Sequence, residues 1–142
     1  MARTTAATDW SKQVSPSLED IERLAEIAHA DLPERFRRLC EGLIIRVTDF
    51  PDDETLDLMG CETDFDLLGL FSGIGLAQQE AVAPTGRMPN IIHLYRRPLL
   101  DYWASHEETL GHLVTHVLIH EIGHHLGFSD ADMEAIEREA GG

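Results

Sequence analysis

Residues 120–130 read His120-Glu121-Ile122-Gly123-His124-His125-Leu126-Gly127-Phe128-Ser129-Asp130. This stretch contains the pattern H-E-x-x-H followed by G-x-x-D. Residues four apart share one face of an α-helix, so His120 and His124 are placed to bind the same metal ion. Glu121 lies about 100° further round the helix, where it can act on a water molecule as a general base. The pattern therefore predicts a hydrolytic metal site on a helix.

The residues after the second histidine indicate how a third ligand is supplied. Gly127 suits the left-handed conformation that ends a helix, and the chain can then turn back to present Asp130 to the metal. Asp130 is therefore the candidate third ligand. However, Ser129 and Asp132 match a capping box, which gives an acid at position 130 a structural role even without metal. Asp132 and Glu134 remain alternative ligands.

The helix face that carries Glu121 is apolar. Its neighbours on the helical projection are Leu110, Val114, Val117, Leu118 and Ile122. An ionised carboxylate in such surroundings is costly unless a cation or hydrogen-bond donors compensate it. A divalent ion on the adjacent histidines does so, which favours a metal site over histidines that only pack or face solvent.

Histidines recur every four residues along this helix, at His112, His116, His120 and His124. Spacing alone would allow any adjacent pair to bind metal, but Glu121 and the G-x-x-D sequence select the last pair. We interpret His112 and His116 as residues beside the site or at the surface. A fifth histidine, at position 125, faces away from the pair and is predicted to pack or face solvent.

With these residues the chain resembles a family of small bacterial zincin-like metallopeptidases that carry the signature H-E-x-x-H-x-x-G-x-x-D. The resemblance extends to the pattern L-L-G-L-F-S-G at residues 67–73 and I-I-H-L-Y-R-R-P at residues 91–98. It covers approximately residues 18–140. The resemblance implies a peptide or protein substrate and a zincin fold, in which an edge strand before the active helix binds extended peptide by strand addition.

The resemblance also implies a mechanism. One Zn²⁺ would be bound by His120, His124 and Asp130, and Glu121 would assist the attack of a zinc-bound water on a peptide bond. The group that stabilises the developing oxyanion would lie upstream of the helix, and the sequence offers several candidates without choosing among them. These are Tyr95, Arg96, Arg97, Tyr102 and His106. We interpret the two arginines as a solvated pair at a strand end.

The order of elements predicts an α+β fold with a small mixed or antiparallel sheet packed on the long metal-binding helix, and the resemblance implies that it is a minimal zincin-like domain. Residues 1–16 are predicted to be a flexible tail and residues 17–142 one domain. The predicted helices begin at Leu18 and Pro33 and span His106–Leu126 and Asp130–Ala140; the predicted strands are 43–50, 67–71 and 91–95. Strand 67–72 is the candidate peptide-binding edge, with an ordinary core strand as the alternative. Residues 73–89 are predicted to form a long loop.

Composition limits the partners. A hydrophobic content of 43% supports a real core, and the net charge of −15 disfavours binding to nucleic acid or to anionic membranes. The N-terminal residues lack the apolar stretch of a signal peptide, and no run is long enough to span a membrane. We therefore expect a cytoplasmic bacterial protein with no nucleic-acid or membrane partner.

Two other functions fit parts of the pattern. A small chain without an evident second lobe could be a catalytically silent zinc-binding or interaction protein on the same scaffold. The metal spacing is also similar to that of bacterial endoribonucleases of ribosomal RNA maturation. Those enzymes lack the glutamate that follows the first histidine, so Glu121 and the net charge of −15 both argue against a metal-dependent endoribonuclease.

Overall fold

The structure, a computed structural model, describes residues 9–72 and 90–141. A short 3₁₀ helix spans Trp10–Lys12, and the α-helices are α1 (Leu18–Ala30), α2 (Glu34–Leu39), α3 (Asp53–Leu58), α4 (Arg96–Ala104), α5 (Leu110–His125) and α6 (Asp130–Gly141). The strands are β1 (Ile44–Thr48), β2 (Gly69–Ser72) and β3 (Ile91–Tyr95). This arrangement confirms the predicted α+β class. The predicted loop at residues 73–89 and the first eight residues of the predicted tail lie outside the described residues.

The three strands form one mixed sheet in the order β1-β3-β2. The central strand, β3, is parallel to β1 and antiparallel to β2. Its side chains Ile92 and Leu94 are completely buried, as expected for a central strand covered by helices. Within the described residues, strand β2 therefore occupies one edge of the sheet, and its outer backbone groups are not used by β3.

Helix α5 is the centre of the core. Its buried residues are Leu110, Leu113, Val114, Val117, Leu118, Ile119, Ile122 and Gly123. Helices α1, α4 and α6 pack around it together with the sheet. β2 approaches α5 closely, because a Cβ atom on Gly69 would lie 2.9 Å from Val117 Cγ1. The long helix is thus apolar on most of its circumference, as predicted, and its histidines are spaced along the remaining surface. Every helix in the described part of the chain is too short or too polar to cross a bilayer.

Most predicted helix boundaries are close to those observed. The capping box of α1 is formed, with Ser17 Oγ accepting from the Asp20 N–H and Asp20 Oδ2 accepting from the Ser17 N–H. The start predicted for the metal helix, at His106, is four residues early. Helix α5 begins at Leu110 because the Thr109 hydroxyl caps it by accepting from the His112 N–H at 3.1 Å.

Two helices were not predicted. Helix α3 follows β1 and is capped by Asp52, whose carboxylate accepts from the Thr55 N–H. Helix α4 begins directly after β3, with Pro98 in its first turn, where a missing N–H costs no helical hydrogen bond. Arg96 and Arg97, which precede this proline, therefore begin a helix and do not belong to the end of the strand.

The interpretation of Arg96 as a solvated residue was wrong. Its side chain is 17% exposed, and its Nη1 atom lies 3.0 Å from Asp49 Oδ1. It also donates to the Ser15 hydroxyl at 2.7 Å and to the Pro16 carbonyl at 2.5 Å. Arg96 therefore ties the segment before α1 to the end of the sheet.

Gly123 sets the distance between α5 and α6 and gives a first test of the fold. A Cβ atom at this position would lie 2.5 Å from Met133 Sδ, and Met133 is completely buried. We expect Gly123→Ala to lower the free energy of unfolding by about 1–3 kcal/mol, measured by chemical denaturation. Gly111→Ala is the matched control, because its nearest heavy atom is Leu24 Cδ2 at 3.9 Å. Equal losses in both variants would contradict the close packing of the two helices.

Candidate metal centre

The turn after α5 has the predicted geometry. Gly127 has a φ of +86°, in the left-handed region that favours glycine. The Gly127 N–H donates to the His124 carbonyl at 3.1 Å, and the Phe128 N–H donates to the Gly123 carbonyl at 2.8 Å. These two bonds form a Schellman-type ending, which reverses the chain and brings α6 back beside α5.

The acids at the start of α6 have different partners. Asp132 forms the predicted capping box with Ser129: its N–H donates to the Ser129 hydroxyl at 3.1 Å, and its carboxylate accepts from the Ser129 N–H at 3.3 Å. Asp130 Oδ1 lies 3.7 Å from His124 Nε2, and the Asp130 side chain is 86% exposed. The carboxylate of Asp132 is therefore occupied by the cap, whereas that of Asp130 faces a histidine of the motif.

His120 has a partner that the sequence analysis did not predict. Its Nε2 atom lies 3.3 Å from Glu137 Oε1, on the opposite helix. The rings of His120 and His124 have centroids 5.9 Å apart. Thus the structure brings His124 to Asp130 and His120 to Glu137, and the ligand set of His120, His124 and Asp130 stays a prediction.

The donor atoms suit zinc. Two ligands of a tetrahedral zinc ion with bonds of about 2.1 Å lie about 3.4 Å apart. The 3.7 Å separation of His124 Nε2 and Asp130 Oδ1 is close to that value. Among the described residues, His116, His120 and Glu137 also offer ligand atoms that all lie within 4.8 Å of one another. Imidazole and carboxylate donors of this kind are the common protein ligands of zinc.

Glu137 combines partial burial with two histidine contacts. Burial raises the pKa of its carboxyl group, but hydrogen bonds from His116 and His120 outweigh that effect and lower the pKa overall. The sequence contained a weak signal for this residue. Glu137 follows Met133 by four residues and adjoins Ile136, both of which are buried, so it lies at the border of the face that α6 packs on α5.

Glu121 has the environment that its helical position predicted. Burial raises the pKa of its carboxyl group, and the charge of His124 opposes the shift. Tyr95 is buried at the end of β3, and burial, together with the charges of Asp52, Cys61 and Glu121, raises its pKa to about 12. Of the upstream oxyanion candidates, Tyr95 is thus a buried phenol whose pKa is raised mainly by burial.

His125 packs, as predicted, on the other side of the helix. Its ring contacts Phe71 of β2 edge to face, with centroids 4.7 Å apart. This contact helps to position the edge strand against the C-terminal end of α5.

Comparison with known sequences places these elements in a family. No curated protein matches the chain. The sequence model of the family described as Zincin-like metallopeptidase matches residues 40–140. The match includes the whole sheet, all of α5 and nearly all of α6. Because this region is more than half of the 142 residues, the chain belongs to the Zincin-like metallopeptidase family.

Proposed function

We propose that the protein is a zinc-dependent peptidase whose catalytic ion is held by His120, His124 and Asp130. The observation that carries the proposal is the position of Glu121, a partly buried carboxylate next to one motif histidine and within the electrostatic influence of the other. A structural helix would have little reason to keep such a group. Family membership supports the same activity.

Each group has a separate task in this proposal. When bound, zinc supplies Lewis acidity toward a peptide carbonyl and toward a water molecule. Glu121 accepts the proton of the attacking water and returns it to the leaving amine. Its partly buried surroundings favour this role, because burial raises the pKa of the carboxyl group and makes the carboxylate a stronger base.

The sheet supports an extended peptide as substrate. Among the described strands, β2 lies at the edge of the sheet and packs on α5, so a peptide paired with the edge that β3 leaves open would run beside the motif helix. The described part of this strand is Gly69–Ser72.

One observation favours a second candidate function, a zinc-binding protein without turnover. His120 is engaged by Glu137, and the side chains of His124 and Asp130 are 59% and 86% exposed. An exposed site in which His120 already contacts Glu137 is as consistent with metal binding alone as with catalysis. An endoribonuclease has less support, because the net charge of −15 opposes binding to RNA.

Cleavage of a peptide library separates these functions. Zinc-loaded full-length protein should cleave members of a diverse library of unstructured peptides, and prior removal of zinc by a chelator should stop the cleavage. The Glu121→Gln variant, prepared in the same way, controls for contaminating proteases. Zinc-loaded wild-type protein that cleaves no more than this variant would favour the non-catalytic function.

Metal removal should also lower stability. His120, Glu121 and His124 lie on α5, which packs against α1, α4, α6 and the sheet, so the ion compensates the partly buried carboxylate of Glu121 beside the core. An ion that binds the folded state alone raises the melting temperature by mass action. We expect apo protein to melt several degrees below zinc-loaded protein in calorimetry. Equal melting temperatures, with metal content verified, would show that the ion does not stabilise this core.

A further inference from the structure

The N-terminal part of the histidine row on α5 converges on Glu137. His116 Nδ1 lies 3.0 Å from Glu137 Oε2, and His112 Nε2 lies 3.6 Å from the same oxygen. Glu137 is 17% exposed, whereas the two histidines are about half exposed. A partly buried carboxylate thus faces two imidazoles that solvent, and therefore ions, can reach.

These separations resemble those around a bound ion. The distances from Glu137 Oε2 to these two nitrogens bracket the value of about 3.4 Å expected between two ligands of a tetrahedral zinc ion. Among the described residues, the ligand atoms that all lie within 4.8 Å of one another are those of His116, His120 and Glu137, so His112 would turn toward His116 to complete the set. The outer histidine is also oriented for coordination. The Nδ1–H of His112 donates to Glu108 Oε2 at 2.7 Å, which leaves Nε2, on the Glu137 side, as its basic nitrogen. A carboxylate behind a histidine is the usual arrangement at metal sites.

One ion cannot serve the whole histidine row. His116 and His124 are separated by eight residues, or about 12 Å of helix rise, whereas two ligands of one zinc ion lie only about 3.4 Å apart. His120 lies between them and can donate Nε2 to only one ion. When His120 binds the ion of the H-E-x-x-H site, the contact between Glu137 and His116 remains. His112 Nε2, 3.6 Å from Glu137 Oε2, is then available as a further ligand.

We propose that His112, His116 and Glu137 form a second transition-metal site beside the H-E-x-x-H site. Two imidazoles and one carboxylate favour Zn²⁺, Cu²⁺ or Ni²⁺ over Mg²⁺ or Ca²⁺, which prefer oxygen ligands. Glu108 and Glu137 together carry two negative charges, which one divalent ion balances. This site does not depend on peptidase activity, because its ligands are separate from Glu121, His124 and Asp130.

Zinc stoichiometry tests the second site. Full-length apo protein would be titrated with Zn²⁺ in competition with a chromophoric chelator, and the bound metal would be counted after dialysis. We expect two ions per chain for the wild type and one for His116→Ala, with the affinity of the second site falling by at least about 10-fold. His106→Ala is the matched control, an exposed histidine outside α5 that stacks on Tyr102. It should bind two ions.

Two further variants keep the test decisive. His112→Gln changes a more exposed residue and should also lose the second ion, so it replaces His116→Ala if that variant does not fold. His124→Ala should lose the H-E-x-x-H ion and keep the other. A single ion in the wild type, or two ions retained by folded His116→Ala, would overturn the second site. Cleavage activity that persists in His116→Ala would leave the peptidase proposal intact in either case.

Discussion

Glu121→Gln is expected to lower the rate of peptide hydrolysis by on the order of 100-fold or more while leaving zinc binding nearly unchanged. The substitution removes the proton acceptor and keeps the size of the side chain. Because Glu121 is not among the proposed ligands, the zinc affinity should stay nearly the same while the rate of hydrolysis falls. The measurement is kcat/KM on a peptide identified by the library, with the zinc content of each preparation determined in parallel.

The structure supplies a control for this variant. Burial raises the pKa of the Glu121 carboxyl group, so its ionised form is disfavoured in the metal-free fold, and the neutral glutamine should not destabilise it. A loss of activity in a variant that melts at or above the wild-type temperature would therefore reflect chemistry. Full activity in Glu121→Gln would show that another group is the general base.

Asp130→Ala should weaken zinc binding by 10-fold or more. Asp130 is the acid that lies 3.7 Å from His124 Nε2, and its side chain is 86% exposed. Asp132→Ala is the matched variant two residues away. It should cost about 1 kcal/mol of stability in the apo protein, through loss of its bond to Ser129, and leave zinc affinity unchanged.

Zinc titration and apo-state melting of the two variants decide between the acids. Unchanged affinity in Asp130→Ala, with a loss in Asp132→Ala, would move the third ligand to the capping residue. If Glu137→Gln alone abolished the tighter of the two binding events, the third ligand would instead come from the middle of α6. In this last outcome His120 and Glu137, which already contact each other, would bind the same ion.

Local signals in the sequence predicted the parts of the fold near the motif. The H-E-x-x-H spacing, the glycine at position 127 and the Ser129 capping box each act within a few residues, and α5, the reversed turn and α6 all form where these signals place them. The apolar sector around Glu121 also predicted its buried environment. Such short-range patterns are readable because helix geometry fixes which side chains share a face.

Contacts between distant segments could not be read in this way. Glu137 meets His120 only because α6 folds back on α5, with Met133 packed against Gly123. Helix α4 was not predicted because it begins directly after the apolar strand β3. Its N-cap residue, Tyr95, makes no capping hydrogen bond through its side chain. The sheet order β1-β3-β2 likewise depends on pairing between segments far apart in sequence. Tertiary packing, rather than local propensity, decides these features.

The most direct measurement is the anomalous scattering of zinc in crystals of the zinc-loaded protein, recorded on both sides of the zinc absorption edge. The account predicts a peak about 2.0–2.2 Å from nitrogen atoms of His120 and His124 and from a carboxylate oxygen of Asp130, with Glu121 beside it but not bound. The proposed second site predicts a further peak on His112, His116 and Glu137. A peak shared by His116, His120 and Glu137, with none on His124 and Asp130, would contradict the proposed catalytic centre.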